Sequence, residues 1–201
     1  MNRSSSARPR PAHRDRYASY AQLSASETED VDYRRVLVCH PGSRAAVIAP
    51  HGGAIEPGTS QIARAIAGDE FNLYLFEGLK RRHNYQDLHL TSHRFDEPRC
   101  LRLLAECDVV VAVHGCVADG ERVLIGGLDA PLKADIARAL RDAGLAVETD
   151  GHRFLAVDPN NVCNRGRWGR GVQLELSGAL RRGRGASRLV QAVRGALGGG
   201  P

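Results

Sequence analysis

The chain has 201 residues, 42% of them hydrophobic and 25% charged, with aromatics at only 5%. That size and make-up suit one folded domain whose core is built from Val, Leu, Ile and Ala, and they exclude a wholly disordered chain. The net charge of +5 belongs to the ends: the first 20 residues hold five Arg and one acid, the last 26 hold five Arg and none, and 21–175 is left at −4. A nucleic-acid partner is therefore not expected.

No stretch approaches the ~18 consecutive apolar residues of a membrane helix, and residues 1–20 lack the apolar region of a secretory signal. We therefore expect no membrane association and a cytoplasmic protein, released from the cell if it acts outside. A monomer is the expected state. The five cysteines (Cys39, Cys100, Cys107, Cys116 and Cys163) are odd in number and form no CxxC pair, which argues for free thiols.

Residues 1–29 mix Arg with Ser and Pro and show no sustained period, so they are read as a disordered basic tail outside the fold. From residue 30 onward, short β-branched runs alternate with helix-length segments. Strands are predicted at 35–39, 45–49, 71–76, 108–113, 145–148 and 171–176. Helices are predicted at 59–67 with Thr59 as N-cap, at 97–106, at 131–143 closed by Gly144, and as a glycine-interrupted run at 177–197. This alternation predicts a single α/β domain over 30–198, with a mixed, mostly parallel sheet flanked by helices. Ligands in such sheets bind beyond the carboxyl ends of the strands.

Three strand ends carry chemically capable residues. After 45–49, a Gly-Gly turn joins His51 to Glu56, and the glycines permit backbone conformations that bring both side chains to one ion. Zinc takes His nitrogen and Glu oxygen readily. The same residues also read as an ordinary glycine turn with an incidental histidine. The second strand end, 108–113, also runs into His-Gly, at His114-Gly115. If the two strands are neighbours, His51, Glu56 and His114 make an open catalytic zinc set; each histidine alone reads as a capped polar group. On the last strand, alternation puts Val172, Leu174 and Leu176 on one face and Gln173 and Glu175 on the other. Beside a metal Glu175 could act as general base; otherwise the strand is an edge with a solvated polar face. Upstream, Arg165, Arg167 and Arg170 put positive charge in one loop, which suits an acidic ligand.

Taken together, His51-Gly52-Gly53-Ala54-Ile55-Glu56, Leu88-His89-Leu90-Thr91-Ser92, Phe95-Asp96-Glu97-Pro98, Val113-His114-Gly115, Gly126-Gly127-Leu128, Asp158 to Arg165 with Asn161 and Asn164, and Gly171-Val172-Gln173-Leu174-Glu175 resemble, in order and spacing, the phage-type poly-γ-glutamate hydrolase family. The likeness runs from about residue 45 to 182. It implies a zinc hydrolase domain with a core similar to zinc carboxypeptidases, one Zn2+, and poly-γ-glutamate or a related acidic peptide as the polymer cut. His51, Glu56 and His114 match the zinc ligands, and Glu175 matches the catalytic glutamate. Arg165, with His89 second, is the expected donor to the tetrahedral intermediate; Arg181, Asn164 and Gln173 complete the expected substrate contacts. The five-residue step from His51 to Glu56 departs from the HxxE spacing typical of carboxypeptidases while agreeing with the narrower family. Two other readings stand beside it: a zinc enzyme acting on another acidic peptide or amide, and a non-catalytic polyanion binder using the Arg-rich ends.

Overall fold

The computed structural model describes residues 15–198. The elements run α1 (Tyr20–Ser26), β1 (Tyr33–Val38), β2 (Ala45–Gly53), α2 (Thr59–Ala67), β3 (Asn72–Gly78), α3 (Asn84–Leu88), α4 (Pro98–Ala105), β4 (Val109–Cys116), β5 (Arg122–Gly126), α5 (Ala130–Asp142), β6 (Ala146–Glu148), β7 (Val172–Ser177), α6 (Gly178–Arg182) and α7 (Gly185–Ala196). All six expected strands are present. The sheet gains a seventh, β5, whose apolar run of Val123, Leu124 and Ile125 is too short to declare a period. The expected helix at 177–197 is two helices broken near Gly183, and Gly58 rather than Thr59 caps α2.

Strand order is β1-β3-β2-β4-β7-β5-β6. The pairs β3/β2, β2/β4, β4/β7 and β5/β6 are parallel, while β1/β3 and β7/β5 are antiparallel. The result is the expected mixed, mostly parallel sheet, in which β2, β4 and β7 lie side by side and end at the same edge. β7 is internal, so its polar residues are not solvated as an edge strand's would be.

Each strand divides its side chains between two cores. Val47, Ala49, Val111, Val113, Val172, Leu174 and Leu176 pack against Ile62 and Ile66 of α2, Ile136 and Leu140 of α5, and Leu189 and Val193 of α7. Ala46, Ile48, Tyr74, Phe76, Val110 and Ala112 pack on the other face with Cys100 and Leu104 of α4 and with Tyr20 and Leu23 of α1. One irregularity matters. From Ala49 to Gly52 strand β2 advances three residues while its partner β3 advances two, from Leu75 to Glu77. This bulge carries an extra residue and turns His51 onto the α4 face, the face of Ile48.

The boundary expected at residue 30 moves. Residues 15–29 are part of the fold: Tyr17, Tyr20 and Leu23 are buried, the Tyr20 N–H donates to Asp96 Oδ1 at 2.6 Å, and the Tyr17 hydroxyl donates to Glu27 Oε1 at 2.7 Å. The two-turn helix is too short to show a period. Its signal was the Ser-x-x-Gln pair at its start, where Ser19 Oγ accepts from the Gln22 N–H at 3.3 Å and Gln22 Oε1 from the Ala18 N–H at 2.9 Å. The remainder of the expected tail, 1–14, lies outside the described residues.

Two of the five C-terminal arginines are likewise engaged on α7. Arg194 pairs with Glu70 at 2.9 Å and donates to the Ile66 carbonyl, and Arg188 meets Glu121 at 3.4 Å. These two tie α7 to the body, while Arg182 and Arg184 are exposed. No helix among the described residues is long and apolar enough to cross a membrane, and all five cysteines are free.

Leu23 gives the sharpest test of the moved boundary. Leu23→Ala should cost about 2–5 kcal/mol in urea unfolding, as for a buried leucine; a change under about 0.5 kcal/mol, as expected of an exposed tail, would contradict the packing.

Candidate metal centre

His51 at the bulged end of β2 and His114 near the end of β4 bring their rings together on the α4 face, with centroids 4.8 Å apart. His51 Nε2 lies 2.8 Å from the Leu90 carbonyl oxygen and donates to it, which leaves Nδ1 as the lone-pair nitrogen. That Nδ1 is 3.0 Å from His114 Nδ1 and 3.3 Å from Glu56 Oε1. Glu56 Oε2 lies 3.8 Å from His114 Nδ1 and accepts the Gly115 N–H at 2.7 Å. All three side chains are buried.

The loop between them is built to hold this geometry. The Glu56 N–H returns to the His51 carbonyl at 2.9 Å, the Thr59 hydroxyl donates to the Glu56 carbonyl at 2.8 Å, and the Gly53 N–H donates to Ser60 Oγ at 3.0 Å. Thr59 thus locks the loop, which explains why it does not cap α2. Gly53 has φ +61°, and a Cβ there would lie 2.6 Å from the Gly78 carbonyl oxygen. Glycine is required at that position on both counts.

A zinc ion bound at about 2.0–2.2 Å by three ligands needs their donor atoms roughly 3–4 Å apart. Here one donor atom from each residue lies within 4.8 Å of the others, and the carboxylate offers Oε1 to His51 at 3.3 Å and Oε2 to His114 at 3.8 Å, so a small closing movement of the three side chains would bring them to that spacing. The buried His114 Nε2 has no hydrogen-bond partner among the described residues, so satisfaction of that ring depends on what meets Nδ1. Two imidazoles and a carboxylate aimed at one point fit a dication, and among the described residues these three form the cluster able to hold one.

Glu175 stands directly opposite His114 in the β4/β7 register. Gln173 Nε2 donates to Glu175 Oε1 at 2.9 Å, and Asn161 Nδ2 donates to Gln173 Oε1 at 3.0 Å. Arg181 runs behind the cluster, donating to the Pro57 and Leu176 carbonyls; a Cβ on Gly115 would lie 2.6 Å from its guanidinium carbon, so a side chain there would have to displace the guanidinium.

Electrostatics separates the groups. Burial opposes a charged His51, but the Glu56 carboxylate and the Leu90 carbonyl outweigh it and raise its pKa. Burial, then the neighbouring His51, push His114 down to about 3. For Glu56 burial acts upward, yet His51 outweighs it and holds the carboxyl at about 2. Glu175 moves the other way: burial and then the Glu56 charge raise it well above the carboxylate range, against the pull of Arg153 and Arg181.

The cluster opens into a cleft of about 1130 Å³ at the sheet edge. Of the expected substrate contacts, His89 and Gln173 line it. Arg165 does not; it is exposed, as are Arg167 and Arg170, and Arg170 instead pairs with Asp129 at 3.4 Å. Asn164 is buried and holds the 156–158 segment by donating to the Ala156 and Asp158 carbonyls. Arg181 is a half-buried strut. Sequence reasoning missed Arg153, Tyr85 and Asn161, which line the cleft, and Asp15, which is bonded to His89. Asn161 stood in the motif; Arg153 and Asp15 carried no local signal.

The description "poly-gamma-glutamate hydrolase" fits residues 17–184 by family model. The chain belongs to that family. It is 37% identical over 171 residues to YndL of Bacillus subtilis (strain 168) and 36% identical over 170 residues to the SPbeta prophage-derived protein YoqZ of the same strain. These alignments take in 84% of this chain but 66% of YndL and 61% of YoqZ, so the chain spans just under two thirds of either relative. Among solved structures, a bacteriophage poly-gamma-glutamate hydrolase superposes with a TM-score of 0.87 at 32% identity, covering 92% of this chain and 97% of that one. A zinc-free form of YndL superposes at 0.84 and 31% identity, covering 92% and 98%. The N-formylglutamate amidohydrolase of Ralstonia eutropha JMP134, at 0.54 and 12% identity over 81% of this chain and 95% of that one, shares the fold.

The raised Glu175 carboxyl gives a prediction for the zinc-free protein. Folding favours its protonated form, so its contribution is complete below the unfolded pKa, near about 4.3, and is lost as pH rises toward the folded value. Glu175→Gln, neutral throughout, should match the wild-type melting temperature around pH 4 and exceed it at neutral pH. Calorimetric scans showing no gain at neutral pH would contradict the charge assignment.

Proposed function

We propose that the protein is a zinc-dependent hydrolase that cuts the γ-glutamyl amide bonds of poly-γ-glutamate. The observation that supports this most directly is the convergence of His51, Glu56 and His114 on one point, with a buried Glu175 registered opposite His114 at the mouth of a cleft. His51, Glu56 and His114 would hold the ion, His51 through the nitrogen that its bond to Leu90 leaves unprotonated. Bound there, the ion supplies Lewis acidity toward an amide carbonyl, lowers the pKa of a water to about 7 and offsets the Glu56 charge that keeps Glu175 protonated.

Glu175 then accepts a proton as the water oxygen bonds to the amide carbon. It returns that proton to the amide nitrogen as the C–N bond breaks, and the water's second proton passes from the new carboxyl to the amine, leaving a γ-carboxylate on one fragment and an α-ammonium on the other. Gln173, itself held by Asn161, keeps the Glu175 carboxyl aimed. The donor role expected of His89 toward the oxyanion does not suit its protonation: burial and the neighbouring His51 lower its pKa, and its Nδ1 proton is committed to Asp15.

Recognition of the substrate's α-carboxylates falls to Arg153 in place of Arg165. Arg153 is the single Arg or Lys lining the cleft among the described residues; it is exposed, with its guanidinium 4.7 Å over the Phe154 ring. A planar guanidinium at the mouth of a cleft that otherwise carries the acids Glu56, Asp158 and Glu175 supplies the complementary charge a polycarboxylate needs.

Size-exclusion chromatography of polymer digests tests this reading. The wild type should shorten γ-linked polyglutamate and leave α-linked polyglutamate intact, and a chelator should stop the reaction. Glu175→Gln should keep zinc and lose about 10²–10⁴-fold in kcat. Arg153→Ala should raise KM for the polymer, with Arg165→Ala near wild type. Full activity in chelator, or in the Glu175→Gln enzyme, would contradict the proposal.

A further inference from the structure

Asp15 lies behind the cleft wall, bonded to two of the residues that line it. The side chain of Asp15 is only 1% exposed, and both carboxylate oxygens are used: Oδ1 accepts the His89 Nδ1–H at 2.8 Å and Oδ2 accepts the Thr91 N–H at 2.7 Å. The residues that follow it are pinned to one charged cluster, Arg16 pairing with Asp87 at 2.9 Å and the Tyr17 hydroxyl bonding to Glu27, with Lys80 bridging the two acids. His89 in turn lies flat against His51, with ring centroids 4.1 Å apart and planes tilted by 32°, and against Tyr85 at 4.6 Å. A buried carboxylate that binds one ring nitrogen of a histidine determines where the other nitrogen points and whether it carries a proton.

We propose that Asp15 is a positioning residue of the cleft: it holds His89 in the Nδ1–H tautomer, so that Nε2 serves as a hydrogen-bond acceptor for the scissile amide N–H of the substrate. The second carboxylate oxygen makes this a two-point anchor, because the Thr91 N–H fixes the backbone immediately beyond the histidine. Burial acts upward on the Asp15 carboxyl, but the His89 and Thr91 hydrogen bonds outweigh it and hold the group well below the usual carboxylate range, so it stays an ionised acceptor. Replacing the carboxylate by an amide puts an NH2 group where one acceptor was. With Thr91 keeping the oxygen, that NH2 faces the ring and favours the Nε2–H tautomer, which donates where the cleft needs an acceptor; a buried Asp-to-Asn change beside a catalytic histidine acts in this way elsewhere.

The substrate part of this inference rests on the proposed function; the tautomer part does not, and the test separates them. Long-range nitrogen–proton NMR correlations of the histidine rings, recorded on the zinc-free full chain with His89→Ala to assign the signal, should show His89 as the Nδ1–H tautomer in the wild type and a loss of that tautomer in Asp15→Asn. In turnover of γ-linked polyglutamate, Asp15→Asn and Asp15→Ala should each lower kcat/KM by about ten-fold or more while zinc content is unchanged. In the His89→Ala background the same changes should have no further effect. An unaltered His89 tautomer in Asp15→Asn would overturn the proposal whether or not the enzyme turns over, and so would losses that simply add to those of His89→Ala. Should Asp15→Ala fail to fold, Asp15→Asn, which keeps the shape and an oxygen for Thr91, carries both readouts.

Discussion

Two imidazoles and a carboxylate are forced together out of water at the edge of the sheet, and much of the surrounding structure exists to keep them there. The nearest approach, 3.0 Å between the Nδ1 atoms of His51 and His114, is a hydrogen bond when one of the two nitrogens carries a proton and leaves both aimed at the same point. It is reached only because the bulge in β2 turns His51 onto the face of His114 and Glu175. In a regular strand the alternation would send His51 toward α2, and the three groups could not meet. Pro50, which cannot donate to a ladder, and the glycines that follow make such a break in pairing tolerable.

From that constraint the neighbouring features follow. The Gly53 turn, the Thr59 and Ser60 hydroxyls and the Gly115 N–H fix Glu56 against the rings. Arg181 braces the loop from behind. The Glu56 charge that stabilises a protonated His51 raises Glu175 across the strand pair, so the two carboxylates have opposite tendencies within one small volume, a pattern associated with acid–base sites. The N-terminal segment closes the outer wall, placing Asp15 under His89 and seating Tyr17, Tyr20 and Leu23 on the core beside it.

Much of this could be read from the residues, for identifiable reasons. β-branched runs such as those ending at His51 and His114 declare buried parallel strands, and alternation in 171–176 correctly separated Glu175 from Leu174 and Leu176. What local pattern cannot carry is register and distance. That β4 and β7 align His114 with Glu175 depends on strand order, which periodicity does not encode. Arg165 suits an acidic substrate by its place in an arginine-rich loop and in the family motif, yet it is exposed and does not line the cleft, while Arg153, in a loop without regular structure, does. Residues 15–29 were misjudged because a two-turn helix rich in Ala, Ser and Tyr has no period, and its capping pair is visible only when sought.

The central claim is that His51, Glu56 and His114 are the ligands of a single zinc ion. X-ray absorption at the zinc edge, on the full chain reconstituted with zinc, measures this most directly. The account predicts one zinc per chain in a shell of nitrogen and oxygen at about 2.0–2.2 Å, with scattering from two imidazoles that falls to that of one in His51→Ala. A sulfur shell at about 2.3 Å, which would implicate the buried Cys116 in the cleft lining, or an unchanged spectrum in the variant, would contradict it.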